Sequence, residues 1–191
     1  VITVEQVFAD FFRREGWPTV TDHPADRGGL TKGGVTLRSF NGWRVAGQAR
    51  PLTRDEFALI TIEEAQAFLR DEFLQPLAFM EDEGIFALMA DWAMHAGLAA
   101  PVRALQGLLI GRGLYDGALD GIPGPKTRAG WARVRADLAA CAEIERSLAK
   151  GRVLDAVTLA LDARARAFMR EQPTTQLVFL RGWVTRALEF L

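Results

Sequence analysis

Apolar residues recur at helical spacing along most of the chain. Val4, Val7, Phe8, Phe11 and Phe12 fall on one stripe. Thr3-Val4-Glu5-Gln6 has the form of a capping box that opens this helix. Thr53-Arg54-Asp55-Glu56 and Thr61-Ile62-Glu63-Glu64 carry the same signature, and the second opens a helix over 62–74 that stops before Pro76. Segment 84–97, GIFALMADWAMHAG, is apolar almost all round, which predicts the buried central helix of a helical domain. Further helices are expected over 100–111, 126–149, 151–171 and 175–190. Strand signals are confined to 17–50, where one short hairpin is expected. Repeats and low-complexity linkers are absent, and the Gly/Pro-rich stretch 111–127 is the candidate boundary or a long surface loop. The pattern predicts an all-α protein with a small loop or β-hairpin lobe.

Composition narrows the function. A chain of 191 residues with 49% hydrophobic content supports one substantial core, or a core with a small appendage. Lys and Arg total 23 against 24 Asp and Glu, a net charge of −1 that gives no footprint for nucleic acid. Apolar runs of about eighteen residues are absent, so no membrane span is expected. The amphipathic, acidic start does not resemble a secretory signal, and a first residue other than Met is compatible with a removed upstream segment. The single cysteine, Cys141, excludes an intramolecular disulfide and a Cys-based zinc site, and is expected to be a small apolar helix residue.

Chemistry concentrates near the end of the first stripe. Glu15 lies four positions after Phe11 and three after Phe12, on the same helical stripe. A carboxyl at the end of an apolar stripe is expected to be partly desolvated, which raises its pKa toward that of a general acid. The other reading is a residue that frays into water. The loop that follows holds Asp22, Asp26 and Thr31 among Gly28, Gly29, Gly33 and Gly34, a composition suited to tight turns and close backbone approach to a ligand.

Glu15, Gly16, Asp22, Pro24, Ala25, Asp26, Gly28, Gly29, Thr31, Gly34, Val35 and Thr36 together make a dense pattern. It resembles the opening of the glycoside hydrolase family 108 muramidases, peptidoglycan-cleaving enzymes of the lysozyme-like superfamily found in bacteria and their phages. The similarity continues through 63-EEAQAFLRDEFLQPL-77, 90-ADWAMHAG-97, the 120-DGIPGPKT-127 turn and the closing 180-LRGWVTRALEF-190 segment. The resemblance implies an all-α, lysozyme-like fold with a small active-site lobe. Residues 1–97 would form the catalytic part, and 98–191 a helical peptidoglycan-binding part packed into one unit with it. It implies Glu15 as catalytic acid and, more loosely, Asp26 and Thr31 as companions that stabilise charge or hold water. The implied reaction is hydrolysis of the β-1,4 bond between N-acetylmuramic acid and N-acetylglucosamine, with no cofactor and no metal. Departures from the family pattern are Trp17-Pro18 after Gly16, Gly33 in place of an aromatic, and His95 in place of Asn. They bear on groove shape and substrate preference.

Trp17, Asp22, Asp91 and His95 are the expected substrate contacts. Trp17 sits in a Pro-bounded loop beside the acid, where an aromatic ring can stack on a sugar. Asp91 and His95 lie four apart on one helix face. They form either a mutually satisfied pair beside the core or part of the cleft wall, and the resemblance points to the cleft. Trp43, Trp92, Trp131 and Trp183 are expected to pack. The run 116-DGALDG-121 is not a calcium loop, because Thr127 stands where the closing acid belongs. Tyr115, Asp116, Asp120 and Lys126 are assigned to turn chemistry, with sugar contact as the lesser alternative. The run 81-EDE-83 reads as a solvated helix boundary. A lytic transglycosylase, a wall-binding protein without catalysis and an unrelated helical adaptor are the competing readings. The expected partner is peptidoglycan, reached at the cell wall or periplasm after cytoplasmic synthesis, by a phage or gene-transfer particle or by holin-dependent release.

Overall fold

The computed structural model describes residues 4–22, 28–81 and 83–168. Thr3, the Pro24-Ala25-Asp26 segment, Trp183 and the helix expected over 175–190 lie outside the described residues. The fold is mainly helical, and the described chain divides into two compact units, Val1–Gln75 and Pro76–Leu191. The sequence-based division fell later, between 97 and 98.

The first unit opens with α1, Val4–Glu15. Its stripe of Val7, Phe8, Phe11 and Phe12 is buried as the pattern predicts. Three short antiparallel strands follow: β1 at Val20–Thr21, β2 at Thr31–Lys32 and β3 at Val35–Thr36. The expected hairpin is therefore the β2–β3 half of a three-stranded sheet, in register Thr31↔Thr36 and Lys32↔Val35. Its two-residue turn is Gly33-Gly34, with φ of +49° and +83°. Two successive positive φ values define the turn whose twist matches that of the strands it joins. Thr36 ends β3 and caps α2, Leu37–Ala46, by accepting from the Ser39 N–H at 3.2 Å. Both remaining capping boxes form. Thr53 opens α3, Arg54–Ala58, and Thr61 opens α4, Ile62–Leu69, each with the reciprocal Glu contact in place. The helix continues beyond α4 as a wider turn over Arg70–Leu74 before Pro76. Phe40 sits at the centre, its ring 5.3–5.8 Å from those of Trp43, Phe57 and Phe68.

The second unit contains α5, Glu83–Ala96, and α6, Ala99–Gly111, then α7, Pro125–Arg135, and α8, Leu138–Phe168. Ile85, Leu88, Met89, Trp92 and Ala93 of α5 are buried, as expected for a central helix. The predicted break near residue 150 is displaced to Ala136-Asp137, and α8 runs through Gly151 without interruption. Asp137 starts α8 because its Oδ1 accepts from the N–H groups of Ala139 and Ala140 at 2.9 and 3.2 Å. Gly151 is there for space: a Cβ would lie 3.1 Å from the Trp92 ring. Cys141 is buried, as is Trp131. No helix among the described residues is long and apolar enough to cross a membrane.

Candidate active site

Glu15 is the last residue of α1, and the helix end around it is tightly specified. Gly16 follows with φ +70°, and the Trp17 N–H donates back to the Phe12 carbonyl at 2.9 Å. This six-to-one hydrogen bond across a left-handed glycine is the Schellman ending. Its usual companion, an apolar contact between the residue after the glycine and the residue three before the cap, is Trp17 on Phe12 with ring centroids 5.0 Å apart. The chain then turns sharply, with Thr19 N–H donating to the Gly16 carbonyl at 2.9 Å and Gly33 N–H to the Thr19 carbonyl at 3.1 Å. The second bond ties the helix end to the hairpin turn.

The turn presses directly on the acid. A Cβ on Gly34 would lie 2.7 Å from Glu15 Cγ and 2.8 Å from Phe11 Cζ. A Cβ on Gly33 would lie 2.5 Å from Trp17 Cε3. The Gly-Gly turn is therefore required twice, for its positive φ values and for the missing side chains. Glu15 is half-buried, its stem held between the apolar end of α1 and the turn. Trp17 fills the space that a side chain on Gly33 would need.

Lys32 was not singled out by sequence reasoning. It is only 7% exposed, and its ammonium donates to the carbonyls of Ala58 and Ile60 at 2.7 and 2.8 Å. It also lies 5.1 Å from the centre of the Trp17 ring. The lysine thus joins the end of α3 to the hairpin and to the residue that closes α1. A lysine in a Gly-rich turn gives no local sign of burial, since both acceptors are more than 25 residues away.

The remaining predicted residues divide between the units. Thr31, on β2, is half-buried and donates its hydroxyl proton to the Gly29 carbonyl at 2.9 Å. Asp22, just past β1, is exposed and pairs with Arg54 at 2.5 Å. Asp26 lies outside the described residues. Trp17 is half-buried in the packing just described. Glu15, Trp17, Asp22 and Thr31 thus belong to the first unit. Asp91 and His95 belong to the second, on α5. Asp91 is 5% exposed, with Arg152 of α8 3.4 Å from Oδ2 and His95 Nδ1 3.7 Å from Oδ1. The His95 Nδ1 also lies 2.7 Å from the Asp91 carbonyl oxygen. No cluster of three His, Cys, Asp or Glu suited to a metal ion occurs among the described residues.

A half-buried carboxyl on a helix end, pressed by a glycine hairpin, is the layout that the sequence pattern implied. Residues 8–97 match the family described as glycosyl hydrolase 108. The match runs from within α1 through α5 and takes in the whole sheet. The chain is also similar to the solved structure of Brucella abortus SagA, with a TM-score of 0.66 and 24% identity over 98% of this chain and 94% of that one. No curated protein matches it. Residues 8–97, just under half of the chain, are therefore similar to glycosyl hydrolase 108, and the chain shares its fold with the SagA structure.

Proposed function

We propose that the protein is an N-acetylmuramidase that hydrolyses the β-1,4 bond between N-acetylmuramic acid and N-acetylglucosamine, with Glu15 as general acid. The observation that carries this reading is the clamp on Glu15: a Schellman ending behind it and a side-chain-free turn against its Cβ and Cγ. A general acid works only when its proton is held at the leaving oxygen, and this packing restricts the side chain to a narrow set of positions. Thr31 suits the handling of water. Its proton is already donated to Gly29, so its oxygen remains an acceptor for one O–H of a water molecule. That orients a water lone pair for attack on the anomeric carbon as the oxocarbenium-like charge develops. Asp26 is the proposed stabiliser of that charge.

Glu15→Gln keeps the shape and removes the transferable proton, so it is expected to fold normally and clear purified sacculi about 10²–10⁴-fold more slowly. Wild-type clearing by this variant sinks the assignment. Mass spectrometry of the products separates hydrolysis, which leaves reducing muramic acid ends, from transglycosylation, which leaves 1,6-anhydro ends. Reducing ends are expected.

A further inference from the structure

The strands of the first unit's sheet have two residues each. Ladders this short set register but carry little stability of their own. The position of the Gly33-Gly34 turn against Glu15 must therefore be fixed from outside the sheet. Lys32 is placed to fix it. It stands on the central strand, opposite Val20 on one side and Val35 on the other, and immediately before the turn.

The Lys32 side chain leaves the sheet and ends inside the first unit. Its ammonium donates to the Ala58 carbonyl at 2.7 Å and to the Ile60 carbonyl at 2.8 Å. Ala58 is the last residue of α3, so the acceptors sit where a helix end carries partial negative charge. No carboxylate pairs with Lys32 among the described residues. Burying a cation without a counter-ion is unfavourable, so the lysine stays charged only while these acceptors hold it. The Trp17 ring, its centre 5.1 Å from Nζ, is the remaining contact of the ammonium. A second tie between the sheet and α3, Asp22 to Arg54, is exposed, and exposed pairs contribute little.

Two short paths lead from the ammonium to the acid. Along the backbone, Lys32 runs into the turn, and Gly34 lies so close to Glu15 that a Cβ there would stand 2.7 Å from Cγ. Across space, the Trp17 ring packs on Gly33 and on Phe12 of α1. Both paths end on the last turn of α1, which carries Glu15.

We propose that Lys32 is a positioning residue for Glu15: its ammonium anchors the glycine turn and Trp17 to the end of α3, and these two hold the carboxyl in place. The proposal rests on the reading of Glu15 as general acid. A lysine that only capped α3 would add stability and leave the chemical step alone. A positioning lysine acts on kcat through Glu15, because proton transfer requires the carboxyl at one place and sugar binding does not.

The test measures kcat and KM on soluble glycan fragments, with full-length protein carrying Lys32→Met, Glu15→Gln, both changes, or Asn41→Ala. Asn41→Ala removes the two hydrogen bonds between α2 and Leu52, at 2.9 and 2.7 Å, and controls for lost stability. Lys32→Met is expected to lower kcat about 10–100-fold with KM changed by no more than about twofold, while Asn41→Ala keeps its kcat. In the Glu15→Gln background Lys32→Met is expected to lower kcat no further, although the unfolding midpoint falls as it does in the single variant. Unchanged kcat in Lys32→Met, an equal loss in Asn41→Ala, or the full loss repeated in the double variant would each overturn the proposal. Lys32→Gln, with a shorter stem and a neutral donor, serves if Lys32→Met does not fold. It is expected to lose about tenfold in kcat, and wild-type kcat overturns the proposal equally. Wild-type activity of Glu15→Gln refutes the general-acid reading and the positioning role with it. Loss of activity in Glu15→Gln beside unchanged kcat in Lys32→Met refutes the positioning role alone.

Discussion

Gly34→Ala isolates the contact that places the carboxyl proposed as the general acid. Two costs follow from the structure. The residue has φ +83°, where a side chain adds about 1–2 kcal/mol of backbone strain. The new Cβ would also stand 2.7 Å from Glu15 Cγ and 2.8 Å from Phe11 Cζ. Forcing an extra carbon into a packed site costs about 1–3 kcal/mol. Together the expected loss of stability is about 2–5 kcal/mol. Restoring an ordinary carbon–carbon separation of about 3.5–4 Å requires a shift on the order of 1 Å. Glu15 is the end of a helix and has more room to move than the Phe11 ring, so the carboxyl takes most of the displacement. A 1 Å misplacement of a catalytic group costs roughly 10²-fold in rate. Gly97→Ala is the control, since its φ is +80° and nothing lies within 4 Å of the added carbon. It incurs the strain without the clash. Denaturant unfolding and clearing of purified sacculi are measured on both. Gly34→Ala is expected to lose more stability than Gly97→Ala and about 10²-fold in clearing, while Gly97→Ala keeps its rate. If Gly34→Ala clears at the wild-type rate, or loses no more stability than the control, the turn does not position the acid.

Lys32→Met keeps the stem of a buried side chain and removes the ammonium that satisfies the Ala58 and Ile60 carbonyls. Hydrogen bonds from charged groups contribute about 1.5–3 kcal/mol each, so urea unfolding is expected to show a loss of at least about 2 kcal/mol, and an unchanged midpoint would refute the strut. Acid sensitivity is expected at the α3 capping box, where hydrogen bonds from Arg50 and then the Thr53 N–H hold the Glu56 carboxyl down to about 2. Because that lies below the ordinary 4.5, the stabilisation is complete above about pH 4.5 and lost as pH falls toward 2. Arg50→Met should therefore melt below the wild type at neutral pH, with the gap closing on acidification, whereas a pH-independent gap would show that the ion pair is not its origin.

Local chemistry alone determined much of this protein. The α1 stripe, the capping boxes at Thr53 and Thr61, the buried α5 and a short hairpin somewhere in 17–50 depend on neighbours within a few positions, so they were legible in order along the chain. Glu15 stood out for the same reason, as an acid ending an apolar stripe before Gly16. Even the Schellman ending was within reach, since a glycine followed by an aromatic after an apolar run is its local signature. What tertiary structure decided were the long-range partners. Trp17 is a closing contact for α1 because Phe12 and Gly33 meet it from two directions. Lys32 is buried because two carbonyls at the end of α3 wait for it. Asp91 finds Arg152, 61 positions away. Gly151 failed to break α8 because a glycine only weakens a helix, and the Trp92 ring needs the space that a side chain would fill. Periodicity and caps report which face of an element is apolar, but which distant group fills each space depends on how the elements pack.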